Sequence, residues 1–100
     1  MDLQEYDLSV SEWEIIQNRV EALEATPIRH FHFGEEIIYV PEGTLEYEIE
    51  GQEARTVSAG EALTVPAEAV HAVKNVADGV GAELATYVVE KGKPVITLAE

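Results

Sequence analysis

His30-Phe31-His32-Phe33-Gly34-Glu35-Glu36 is the stretch on which the reading of this chain turns. Side chains two residues apart on an extended strand share a face, so His30 and His32 point the same way. A carboxylate four residues after His32 returns to that face if the chain turns in between, and Gly34-Glu35 offers a place to turn. The sequence holds three histidines, and the third, His71, lies far downstream. Three imidazoles and one carboxylate suit Mn, Fe, Co, Ni or Zn better than Ca or Mg. A metal site made by His30, His32, Glu36 and His71 is therefore the leading expectation. The competing one is that His-x-His is a pair of ordinary surface histidines on a polar strand edge.

The punctuation around these residues weighs against the competing reading. One segment runs His30-x-His32, then Glu36, then Gly43; a second runs Gly60, Pro66, His71, Asn75. In this order and spacing they resemble the two sequence motifs of the cupin superfamily, over roughly residues 24 to 76. Two positions depart from the pattern: Glu24 stands where the first motif usually opens with Gly, and Glu68 where the second usually has Gly. Neither is a ligand position, so they bear on loop geometry rather than on the site. The resemblance implies an all-β, jelly-roll type antiparallel β-barrel. It further implies a single cupin domain over residues 1–100, with one divalent transition metal (Mn, Fe, Ni, Co, Cu or Zn) on His30, His32, Glu36 and His71. That ligand pattern is similar to the one in quercetin-dioxygenase-like cupins.

Composition narrows the partners. A chain of 100 residues is the size of one small domain. Its net charge of −14, from 20 acidic and 6 basic residues, argues against nucleic acid and anionic membrane, both of which need clustered Lys and Arg. Without cysteine there is no disulfide, thiolate zinc site or cysteine nucleophile. No run approaches the ~18–20 apolar residues of a membrane helix, and Met1-Asp2-Leu3-Gln4-Glu5 does not read as a signal peptide. A cytoplasmic location is the expectation.

Turn residues punctuate the chain from Glu36 onward. Strands are expected over 36–40, 44–50, 53–58 and 62–65, then around His71, over 83–89 and at 95–98. Pro41-Glu42-Gly43, Gly51-Gln52, Gly60 and Asp78-Gly79 fall between them. Leu45, Tyr47 and Ile49 alternate with Glu46, Glu48 and Glu50, which gives one buried and one wet face. Short strands at this spacing suggest a sandwich or barrel. Residues 12–24 are ambiguous. Ser11 and Glu14 make a capping-box pattern, and Trp13, Ile16, Val20 and Leu23 recur at helical spacing. The resemblance instead implies a strand over 14–23, followed by a loop at Ala25-Thr26-Pro27, and that reading is adopted.

The resemblance implies a metal-dependent, dioxygenase-like enzyme acting on a small chelating oxygenated substrate. The alternatives are a non-enzymatic small-ligand, sugar-binding or sensor module, and a metal-dependent isomerase or lyase. No catalytic acid or base beyond the ligands stands out, and the many glutamates read as solvated faces. Glu35 could reach the site mouth, although a solvent-facing turn residue is the simpler reading. Ile38, Val40, Tyr47 and Tyr87 could line a pocket or merely fill the core. Phe31, Phe33 and Tyr39 are out of phase with the ligands, as if packed against another sheet or a second subunit. With Trp13 to Ile16 they supply more apolar side chains than one small core hides, so a homodimer is expected.

Overall fold

The computed structural model describes residues 2–8, 12–22 and 28–99. Among them are ten strands and no helix: β1 (Asp2–Asp7), β2 (Trp13–Glu21), β3 (His30–Phe31), β4 (Gly34–Glu42), β5 (Thr44–Ile49), β6 (Arg55–Ser58), β7 (Ala62–Val65), β8 (His71–Asn75), β9 (Ala82–Glu90) and β10 (Thr97–Leu98). One sheet has the order β1-β2-β9-β4-β7, the other β10-β3-β8-β5-β6. Every pairing is antiparallel. The jelly roll implied by the motifs is present, built as two sheets rather than one continuously hydrogen-bonded cylinder.

Period-2 alternation produces the core. Ile38 and Val40 of β4 and Leu63 and Val65 of β7 face Leu45, Tyr47 and Ile49 of β5 and Val57 of β6. Each side chain of this kind gains about 1.5–3 kcal/mol on leaving water. Ile38, Val40 and Tyr47 thus belong to the core. Ile16 of β2 packs with Ala85, Tyr87 and Val89 of β9 in a second cluster beside the first.

The N-terminal segment is a strand. Trp13–Glu21 pairs residue for residue with β9, from Trp13 opposite Glu90 to Glu21 opposite Ala82. The helical spacing of its apolar residues misleads because apolar side chains occupy both faces of this strand. Ile16 is buried inside, and Ile15 sits half-buried outside. Ser11, Leu23, Glu24 and the expected loop at 25–27 lie outside the described residues.

Several boundaries differ from expectation. β4 continues through Pro41 and Glu42, and the turn is made by Gly43, whose φ of 83° favours glycine. Gly34 and Glu35 form no turn; both already lie in β4. The chain leaves the second sheet after Phe31 and bends at Phe33 before joining the first. Gly34 is required there for a different reason, since an added Cβ would fall 1.9 Å from the Val88 carbonyl oxygen of β9. Glu68 adopts a φ of 61°, which L-residues other than glycine rarely take. This is the position where the second motif usually carries Gly, and Glu68 holds a backbone conformation that favours glycine there. The backbone N–H of Glu68 donates to the His32 carbonyl at 2.9 Å, and the loop thereby braces a site residue.

Candidate metal centre

Register places two rows of side chains opposite one another. In the first sheet, Ile16, Tyr87, Glu36 and Val65 are cross-strand neighbours on the inner face. In the second sheet, Ile49, His71, His30 and Leu98 form the matching row. His32 follows β3 directly, at the crossing between sheets. The change of sheet, not a tight turn at Gly34-Glu35, brings Glu36 to the histidines. The four expected residues come together: one donor atom of each of His30, His32, Glu36 and His71 lies within 4.8 Å of the others. Glu36, His32 and His71 are buried, whereas His30 is half-buried at the open side.

Each imidazole is locked from behind by the backbone. Nδ1 of His30 donates to the Ile28 carbonyl at 2.8 Å, Nδ1 of His32 to Val95 at 2.5 Å, and Nδ1 of His71 to Ala69 at 2.9 Å. A carbonyl oxygen only accepts, so Nδ1 carries the proton and Nε2 of each neutral ring is left with a lone pair. Those lone pairs face inward. His32 Nε2 stands 3.2 Å from His71 Nε2, and Glu36 Oε1 lies 3.1 and 3.0 Å from the two. Neutral rings and a carboxylate cannot hydrogen-bond to each other in this arrangement, because all of them are acceptors. A cation among them, or an extra proton on Nε2 of one ring, resolves the conflict. Three neutral imidazoles and a carboxylate are a donor set suited to a divalent transition ion.

The titration of the site follows from this crowding. Burial lowers the His30 pKa, and the neighbouring His71 and His32 rings lower it further; its carbonyl bond opposes them. Burial pushes the Glu36 carboxyl up, yet hydrogen bonds from His32 and His71 prevail and hold it at about 2. Those bonds require a ring protonated on both nitrogens, so proton and metal compete for the same space.

One residue escaped sequence reasoning. Glu83 of β9 is buried, with 6% of its surface exposed, and its Oε1 accepts a hydrogen bond from the Tyr47 hydroxyl at 2.7 Å. Burial, then the charge of Glu36, pushes its carboxyl up to about 8. A carboxyl raised in this way favours its protonated form, from which Glu36 can accept a hydrogen bond. Burial and the charge of Glu83 push the Tyr47 hydroxyl far up, and burial with the charge of Glu36 does the same for Tyr87. The Tyr87 ring packs edge-on against His32, with centroids 4.8 Å apart. Tyr87, alone of the four expected pocket residues, lines the cavity that His30 also lines.

Glu35 and the aromatic residues have other places. Glu35 points outward from β4 and does not reach the site. Phe31 and Phe33 pack edge-to-face at 5.4 Å, and Lys93 lies 4.5 Å above the Phe33 ring. Tyr39 is exposed on the outer face of β4.

Comparison with known proteins follows the same architecture. The family model described as Cupin domain matches residues 19–89. Among curated proteins there is no significant match. Solved structures share the fold at low identity. DMSP lyase DddQ from Ruegeria pomeroyi DSS-3 is 21% identical with a TM-score of 0.73, over 85% of this chain and 43% of its own. An uncharacterized conserved protein with a double-stranded β-helix domain from Klebsiella pneumoniae is 19% identical with a TM-score of 0.70, over 93% of this chain and 79% of its own. The iron(II) form of HppE in complex with substrate is 18% identical with a TM-score of 0.67, over 73% of this chain and 45% of its own. The chain therefore spans less than half the length of the lyase and of HppE.

Proposed function

The chain belongs to the cupin superfamily, and from that premise we propose that it is a metal-dependent enzyme holding one divalent transition ion on His30, His32, Glu36 and His71. The observation that carries this reading is the convergence of three inward Nε2 lone pairs on a buried carboxylate, each ring fixed by a backbone carbonyl. Residues 1–100 are taken as a single cupin domain.

Four protein ligands leave open positions on an ion of octahedral preference, which supplies Lewis acidity and a place for a chelating substrate and dioxygen. The leading reaction is dioxygenase-like, on a small substrate that chelates through neighbouring oxygens. The iron(II) state of a fold relative supports this class of metal. The chain's own contribution is to orient the substrate. His30 stands at the open side, Tyr87 packs against His32, and Glu83 places a buried, titratable carboxyl next to Glu36. Such a carboxyl favours a second reading, proton transfer as in an isomerase or lyase. Elemental analysis of the natively purified protein is expected to find about one transition ion per chain, and oxygen consumption by the Fe(II), Mn(II) or Ni(II) forms on chelating hydroxyketones separates the two reactions. A chain that neither carries nor takes up such an ion would overturn both.

The protein is further read as a cytoplasmic homodimer without nucleic acid or membrane partners. Charge supports the last point, and no helix among the described residues is long and apolar enough to cross a membrane. The dimer reading is supported by the outer face of the first sheet, where register aligns Tyr6, Ile15 and Val88, with Ile37 and Tyr39 of β4 beside them. Tyr6, Ile37 and Tyr39 are exposed. Light scattering at micromolar concentration is expected to give twice the chain mass at low salt. A monomer at low salt that dimerises only at high salt would mean that repulsion among the −14 charges outweighs this patch.

A further inference from the structure

A cavity of about 380 Å³ opens beside the ligand set, at the small end of the ~300–1,000 Å³ typical of small-molecule pockets. Its inner end is polar and buried: the ring of His30 is joined there by Glu83 and Tyr87, which are 6% and 3% exposed. Its outer end is made by the C-terminal strand region, where Ile96 and Leu98 are 53% and 65% exposed. Among the other described lining residues Glu21 is charged, and the rest are aliphatic. The cavity therefore has a chemical direction, from metal-facing polar atoms to an apolar mouth with a single carboxylate.

We propose that the substrate or ligand of this site is a chelating oxygen head joined to an uncharged apolar body, and that a second anionic group on that body is rejected. Resting on the metal-dependent reading above, this narrows it from any small oxygenated molecule to one polarity. The head sits at the ligand end, where Glu83 and Tyr87 offer hydrogen-bonding groups. The body lies along the aliphatic wall and is covered by Ile96 and Leu98. A carboxylate on the body would lose hydration against that aliphatic wall with no cationic side chain among the described lining residues, on a chain of net charge −14, since the nearby Arg19 is already paired with Glu21 at 3.6 Å.

Three hydroxamates test this on the metal-loaded protein by calorimetry, after metal content has been measured: acetohydroxamic acid, hexanohydroxamic acid, and the monohydroxamate of adipic acid. All three present the same chelating head. The hexanoyl compound should bind at least about tenfold tighter than the acetyl one, since each buried methylene contributes about 0.8 kcal/mol. The carboxylate-ended compound should lose that gain. Ile96→Asp and Leu98→Asp alter exposed positions and should shrink the ratio of hexanoyl to acetyl affinity to about one, each ratio being read within the same metal-loaded variant. Equal affinity for the three compounds on metal-loaded protein, or a tail preference that both variants retain, would overturn this inference and leave the metal reading standing. Failure to load any transition ion would overturn the metal reading, and this inference with it.

Discussion

Exchanging His71 or His32 for alanine should abolish stoichiometric metal retention and lower the thermal midpoint by on the order of 15 °C or more. A ligand that binds only the folded state stabilises it by RT ln(1 + [L]/Kd), about 4 kcal/mol at a thousandfold excess over Kd. For a domain of this size each kcal/mol corresponds to roughly 4–8 °C. The diagnostic is the chelator arm. Without metal, the native site sets a carboxylate against inward Nε2 atoms at 3.0–3.1 Å, and the alanine variants remove part of that conflict. Wild type treated with chelator should therefore fall to about the level of the variants, while the variants hardly respond to chelator. If both variants keep a full equivalent of metal, the ligand assignment is wrong. Occupancy should also fall as pH drops below about 6.5, because a proton on Nε2 displaces the ion. The lowered pKa of His30 keeps that ring available further into acid.

The four candidate ligands were legible as a group because their signal is residue type and spacing, which survive whatever the chain does between them. The route was less legible. Gly34 suggested a turn, yet its absent Cβ accommodates the Val88 carbonyl, and tertiary approach of that kind leaves no local mark. Residues 12–24 carry helical spacing because Trp13 falls on the opposite face of β2 from Ile16 and Val20. The cupin motifs corrected this, and no local propensity did. Glu83 was lost among 20 acidic residues. A signal did exist: in β9 it has the parity of Ala85, Tyr87 and Val89, so a period-2 reading anchored on Tyr87 puts it on the inner face. Glu36 and Glu83 are the glutamates buried among the described residues, and both lie on strands whose remaining inward positions are apolar.

Glu83→Gln is expected to separate from wild type progressively between pH 6 and pH 8 in the metal-free protein, and the variant should be the more stable at the upper end. The folded carboxyl titrates at about 8, against an ordinary value of 4.5. Its contribution is therefore fully present below 4.5 and is lost as pH rises through 8. Over that window the unfolded chain has released a proton that the folded chain retains, so stability declines by about 1.4 kcal/mol per pH unit at most. From pH 6 to 8 the wild type should lose about 2–3 kcal/mol relative to the variant. Gln has nothing to titrate. Its carbonyl can accept from Tyr47, and its amide can donate to Glu36 as the protonated acid does. Tyr47→Phe removes a bond that favours the ionised carboxylate, so the decline should then continue beyond pH 8. A bound dication has the opposite effect: it favours ionised Glu83 and should shrink the slope. Chemical denaturation at a series of pH values, with and without chelator, reads all of this. Parallel stability curves for wild type and Glu83→Gln would mean that Glu83 does not titrate in this range, and the support that its carboxyl gives to isomerase or lyase chemistry would be gone. A separation that metal suppresses would instead mean that loading the ion releases the Glu83 proton, coupling metal occupancy to the one buried acid beside the site.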